Sequence, residues 1–254
     1  MTRAARTTGY LVLMATTLAA ALWALPARWM MAWIPEASPV RIVDASGTMW
    51  NASATVAIGV GGLRRTLPDR VHWKLTFSGG PQLVIRHPWL QGPLKLAPGW
   101  SGVQLSAQSL QLPATALTAV HAIFNTLDPG GMLVLSWPDL TIGRSVSGQG
   151  NSPTLLTGHW RNASSSLSRI KPMGDYTLTV NKDSGSTMAL ALRTRKGPLM
   201  MEGSGVASHA GAQFDGRAWV DESASQDTRQ ALQGLLAAIG PINPRDGSVA
   251  MKIR

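Results

Sequence analysis

The chain contains no cysteine, which removes disulfide frameworks, thiol nucleophiles and cysteine-based zinc sites together. It leaves the compartment open, although a cysteine-free chain is comfortable in an oxidising periplasm. Acidic residues are scarce as well, 13 against 23 Lys and Arg. They are dispersed, so the paired carboxylates of a hydrolase have no candidates. There are only 2 Tyr and 3 Phe, but 10 Trp. Charged residues make up 14% and hydrophobic ones 44%, too apolar a balance for a disordered protein. A length of 254 residues allows one large or two small domains with an ample core. The 26 Gly and 16 Pro punctuate the chain and favour many short elements.

The net charge of +10 raises nucleic acid as a partner, and its distribution argues against it. Basic residues occur in small groups (Arg64-Arg65, Arg161, Arg169 to Lys171, Arg193 to Lys196) and outside any nucleic-acid motif. A solvated face attracted to anionic lipid heads is the simpler reading.

One interval stands apart. No charge occurs between Arg6 and Arg28, and its core includes Tyr10, Leu11, Leu13, Leu18, Leu22, Trp23 and Leu25. At ~1.5 Å per residue it approaches the span of a bilayer. Thr16 and Thr17 are tolerable there because their hydroxyls return to the helix backbone. Arg3 and Arg6 precede the segment and predict an N-inside orientation, while Trp23, Trp29 and Trp33 mark the far boundary. Residues 1–9 are then a cytoplasmic N-terminus, 10–34 a single transmembrane helix with its interface, and 35–254 a periplasmic domain. A cleaved signal peptide is the competing reading. Cutting at Ala19-Ala20-Ala21 leaves a very short apolar core, and cutting after Ala27 puts Leu25 where a small residue belongs. A retained inner-membrane anchor is favoured.

From Val40 onward alternation dominates and predicts a mainly β, antiparallel body. Val71, Trp73, Leu75 and Phe77 share one face of a strand; Val103, Leu105 and Ala107 repeat the pattern. So do Tyr176, Leu178 and Val180, then Met188, Leu190 and Leu192, within four expected strands from Gly174 to Val220. Turns are expected at Gly79-Gly80-Pro81, Gly130-Gly131, Asp183-Ser184-Gly185 and His209-Ala210-Gly211. Two packed helices interrupt the strands. Residues 113–127 start on Pro113 and align Leu117, Val120, Phe124 and Leu127, with Asp128-Pro129-Gly130 as the stop. Residues 226–239 align Leu232, Leu235, Leu236 and Ile239, with Ser223 and Gln226 as a capping box and Gly240-Pro241 as the stop. A last strand is expected over residues 248–253. The body is expected to be one curved or folded-over sheet, with no linker that marks a boundary. Gly47-Thr48-Met49-Trp50 echoes loosely as Gly158-His159-Trp160, which fits either duplication into two similar halves or chance.

No catalytic or metal site emerges. His72, His87, His121, His159 and His209 lack metal-ligand spacing and read as surface or boundary residues. No Gly-x-Ser-x-Gly elbow occurs. Gly59 to Gly62 and Gly203-Ser204-Gly205 lack the lysine and helix of a phosphate loop, and suit strand bends. The tryptophans beyond the anchor are spread one per element, as core residues are. The chain is therefore expected to be no enzyme, with no cofactor and no small-molecule substrate.

One resemblance covers nearly the whole chain. The block Val40 to Ser53, with Asp44, Ser46, Gly47, Thr48 and Trp50, precedes the strand Val71-His72-Trp73-Lys74-Leu75. The chain closes with Leu232 to Gly240 before a terminal strand. This order resembles protein N of the bacterial type II secretion system. The resemblance implies an accessory inner-membrane subunit with a periplasmic domain, in contact with other inner- or outer-membrane secretion subunits and with membrane lipid. It supplies no catalytic residue. For the 46–50 block a structural role is preferred, Gly47 permitting the turn and Trp50 burying its ring, with an interaction role as the alternative. The Gly-x-x-Trp start is also similar to AsmA-like envelope proteins, whose apolar β-groove handles lipid.

Overall fold

The computed structural model describes residues 3–35, 38–59, 64–119, 123–143, 146–148, 153–183, 186–208 and 211–253. The chain divides into two compact units, Met1–His87 and Pro88–Arg254.

The first unit begins with helix α1 (Arg3–Trp23), a three-residue 3-10 turn (Ala27–Trp29) and the short α2 (Met30–Trp33). Strands β1 (Val40–Thr48), β2 (Asn51–Ile58), β3 (Arg65–Thr66), β4 (Val71–Thr76) and β5 (Gln82–Arg86) follow. They pair antiparallel in the order β1-β2-β4-β5, with β3 on β2. Alternation puts Ala52, Ala54 and Val56 of β2 on one face, where they bury with Ile42, Trp73 and Ala27. Small alanines at these positions let the Trp73 indole lie close against the sheet. Phe77, expected in line with Trp73 and Leu75, lies beyond the end of β4 and is exposed. Phe77 is itself the first residue of the turn, its carbonyl accepting from Gly80 N–H.

The second unit holds β6 (Leu94–Gly99), β7 (Gly102–Leu105), β8 (Gln108–Pro113), β9 (Pro129–Trp137), β10 (Leu140–Gly143), β11 (Val146–Gly148) and β12 (Thr154–Ser165). It continues with β13 (Gly174–Lys182), β14 (Met188–Lys196), β15 (Leu199–Ser208), β16 (Gly211–Val220), α4 (Gln226–Ile239) and β17 (Val249–Ile253). One antiparallel run is β6-β7-β10-β11, and the other is an 8-stranded sheet ordered β17-β16-β15-β14-β13-β12-β9-β8. The four strands expected between Gly174 and Val220 are β13 to β16.

Register gives the large sheet two different faces. One row runs Leu112, Leu133, Trp160, Tyr176, and further along the same face lie Met201, Ala218 and Val249. The opposite face carries His159, Thr177, Arg193, Glu202 and Arg217 in one row. α4 covers the apolar face at its β15–β17 end, burying Leu232, Leu235 and Leu236 against Leu199, Ala218 and Val249. At roughly 1.5–3 kcal/mol per fully buried leucine, this patch is a main hold on the C-terminal strands.

Several expectations are corrected in detail. Residues 113–127 do not form one helix: Pro113 ends β8 opposite Met132, Ala114–Ala119 is a 3-10 helix, and α3 is only Ile123–Leu127. The Thr118 hydroxyl returns to the Thr115 carbonyl at 2.7 Å, and Ala114 and Ala119 bury in place of a leucine stripe. Val120 and His121 lie outside the described residues, as do Gly61-Gly62, Ser184-Gly185 and His209-Ala210. Gly130-Gly131 is no turn but the start of β9. Gly131 has φ +97°, and a Cβ there would stand 2.5 Å from the carbonyls of Arg161 and Asn162, where β12 bulges. The N-cap of α4 is Ser225, whose side chain accepts from Thr228 N–H. Ser223 is captured instead by the Asp221 carboxylate, which accepts from both its N–H and its hydroxyl. The far end stops as expected, with Gly240 N–H donating to the Leu236 carbonyl. The two echoing segments also differ. Gly47 to Trp50 closes a hairpin, whereas Gly158 to Trp160 lies inside the 12-residue β12.

α1 is a continuous helix with exposed Tyr10, Leu13, Leu18, Leu22 and Trp23, and it stops short of Leu25. Thr16 and Thr17 both return their hydroxyls to the Leu13 carbonyl. No helix among the described residues is long and apolar enough to cross a membrane.

Candidate functional site: a hairpin that holds the N-terminal helix

Asp44, Ser46, Gly47, Thr48 and Trp50 lie on β1 and on the tight turn that joins it to β2. Thr48 pairs with Asn51, so only Met49 and Trp50 make the connection. The Thr48 hydroxyl accepts from Asn51 N–H across that turn. Gly47 takes φ +95°, and a Cβ on it would meet the Asn51 carbonyl at 2.5 Å. Glycine is needed here both for the positive φ and for the close approach. Ser46 and Ser53, opposite one another, share a hydroxyl bond of 3.0 Å. The Arg70 guanidinium reaches the Asp44 carboxylate at 2.9 Å and Ser46 Oγ at 3.3 Å. Both charges are solvent-exposed, so this pair contributes at most about 1 kcal/mol.

The turn faces the end of α1. Trp50 Nε1–H donates to the Leu22 carbonyl at 2.9 Å, and Met49 N–H donates to the Leu25 carbonyl at 2.9 Å. Pro26 bridges to Thr48. The last carbonyls of a helix have no partner within it, and here the hairpin supplies donors to that end. A second tryptophan braces the turn from behind. Trp73 Nε1–H donates to the Met49 carbonyl at 2.9 Å, and Leu75 N–H to the Trp50 carbonyl at 2.7 Å. Trp50 itself is half-buried, while the deeply buried ring is Trp73's. The motif is thus a two-sided clamp. One side grips the sheet and the other grips the helix.

Arg70 and Trp73 belong to this arrangement and were not among the site residues read from sequence. Trp73 stood in the same strand pattern, but nothing local distinguishes a core tryptophan from a bracing one. Among the anchor residues, Leu22 and Leu25 meet the clamp through their carbonyls, and Tyr10, Leu13 and Leu18 lie away from it.

In the second unit, His159, Trp160, Arg161, Asp175, Tyr176, Arg195 and Lys196 line an open cleft of about 430 Å³. His159 Nδ1 lies 3.0 Å from Thr177 Oγ1. The Asp175 carboxylate accepts from Asn162 N–H at 2.6 Å and meets Lys196 Nζ at 3.3 Å. The backbone bond, then Lys196 and Arg161, hold its pKa below the usual aspartate value against some desolvation. The Tyr176 phenol is pushed well above its ordinary value by burial, with the Asp175 charge adding to it. Its hydroxyl donates to the Leu199 carbonyl at 2.9 Å. Asp175 and Tyr176 thus each have a partner within the protein. Among the described residues no group of three His, Asp or Glu side chains is placed to hold a metal ion.

The family described as type II secretion system (T2SS), protein N, matches residues 38–253, a span that includes the whole clamp hairpin and the final strand. The chain belongs to that family. No curated protein and no solved structure matches it. Membership in the protein N family carries an accessory role in type II secretion, and hence interaction with other secretion subunits.

One surface feature was missed by reading the tryptophans as core residues. Trp100 sits at the tip of the β6–β7 hairpin and is wholly exposed. Beside it, Val103 pairs with Ile142 across β7 and β10, and both are partly exposed.

Proposed function

We propose that the chain is a non-catalytic inner-membrane subunit of the type II secretion machinery, acting through protein–protein contacts. In this reading α1 is the membrane anchor, with the N-terminus cytoplasmic and the β-rich bulk periplasmic. The observation that carries it is the family match over residues 38–253. The uncharged stretch of α1, preceded by Arg3 and Arg6, supports the topology. Trp100 supports the contact role: a tryptophan ring buries roughly 150–250 Å² when it docks, and such rings dominate interface energetics. The rival lipid trough has less support. α4 already covers one end of the large sheet's apolar face, and charged side chains line both clefts, Lys95 and Asp139 in one and Arg161, Asp175, Arg195 and Lys196 in the other.

The test is secretion of folded exoproteins by cells carrying the Trp100→Ser chain. Exoprotein in the medium is expected to fall several-fold while membrane content and thermal unfolding of the chain stay unchanged. An unaltered exoprotein profile after deletion of the whole gene would overturn the reading.

A further inference from the structure

The chain does not leave α1 as a free tether. Within four residues of Trp23 it is bonded to the hairpin through Leu25 and Pro26, and Ala27 is completely buried with Ile42, Ala54 and Trp73. The 3-10 turn and α2 then pack along β1. That same short stretch turns Arg28, Trp29, Met31 and Trp33 outward, with Trp29 55% and Trp33 69% exposed. Ala27 is committed to the protein core, and those four residues after it are exposed and, Arg28 apart, apolar.

Length identifies what covers it. The uncharged part of α1, residues 7–23, measures about 26 Å at ~1.5 Å per residue. A hydrocarbon core is ~30 Å thick. A helix this short cannot lift its C-terminal end clear of the headgroups, and the segment pinned directly behind it lies at the same depth. Indole rings favour that boundary, and Arg28, which makes no ion pair among the described residues, matches lipid phosphate.

We propose that residues 27–33 are an interfacial lipid-contact element, with Trp29, Met31 and Trp33 at the headgroup–acyl boundary and Arg28 at the phosphates. The proposal rests on α1 being the membrane anchor. Its consequence is that the β1–β2 hairpin, bonded to Leu22 and Leu25 through Trp50 and Met49, is held at the membrane surface in one orientation.

The chain's lack of cysteine makes the test direct. Full-length Leu18→Cys, Trp29→Cys and Trp33→Cys chains each take one nitroxide label at an exposed site. They are reconstituted in phosphatidylcholine–phosphatidylglycerol vesicles, and relaxation by oxygen is compared with relaxation by an aqueous nickel chelate. The expected result is a deep label at 18 and shallow but membrane-embedded labels at 29 and 33, with oxygen access raised several-fold relative to nickel. A deep label at 18 with fully aqueous labels at 29 and 33 overturns the interfacial element and leaves the anchor standing. An aqueous label at 18 overturns the anchor reading and this proposal with it.

Discussion

Gly47 and Gly79 offer a controlled comparison, because both have positive φ in the same unit but different surroundings. Gly47 sits at +95° with the Asn51 carbonyl 2.5 Å from where a Cβ would be. Gly79 sits at +80° with nothing within 4 Å. Replacing Gly79 by Ala should cost only the backbone term, about 1–2 kcal/mol. Replacing Gly47 adds a forced displacement of Asn51 in a paired strand, a further ~1–3 kcal/mol by the measure of overpacked cores. Gly47→Ala should therefore destabilise the first unit by about 2–5 kcal/mol. Because the two units need not unfold together, amide hydrogen exchange read by peptide is the suitable assay. Protection of β1 and β2 amides should fall about tenfold for each 1.4 kcal/mol, so that Gly47→Ala exceeds Gly79→Ala by roughly five- to a hundredfold. Equal losses in the two variants would refute the steric half of the argument. Unchanged exchange in both would refute the backbone half as well.

Trp50→Phe keeps most of the ring but removes the donor to Leu22. About 1 kcal/mol should be lost, seen as faster exchange confined to the end of α1 and the residues just after it. Leu235→Ala opens a cavity under α4 and should cost about 2–5 kcal/mol, read as a lower denaturation midpoint with α4 the first element to lose protection. The Tyr176 phenol has a pKa raised by folding, so its contribution is intact below the unfolded value of about 10. That contribution is lost as pH rises above 10, because the unfolded chain gives up the proton first. Denaturant midpoints measured from pH 9 upward should fall less steeply in Tyr176→Phe than in the parent chain; parallel curves would show that the phenol does not carry this dependence.

The C-terminal region was legible because its signals are local. α4 declares itself through leucines at helical spacing and a terminal glycine, and its observed span agrees with that pattern. Strands β13 to β16 follow from two-residue alternation broken by turn residues. The 113–127 segment failed for the opposite reason. Its apolar spacing suits a helix, but Pro113 was already committed to a strand pairing with Met132, a partner far along the chain. Ser223 was misread because Asp221 competes for it, a contest that a capping pattern does not contain.

Composition and periodicity alone determined that this chain has no thiol chemistry, carries an N-terminal helix with a long uncharged stretch and folds as a mainly β, antiparallel body. Those properties depend on residue type and on neighbours a few positions away. Only the tertiary structure decided what the motif around Gly47 and Trp50 does. A tryptophan's burial is set by whatever chain folds over it, and three of them took different fates: Trp73 in the core, Trp50 on the Leu22 carbonyl, Trp100 in solvent. The join between helix and hairpin is made by backbone carbonyls, which every residue type carries alike and which no sequence pattern can mark.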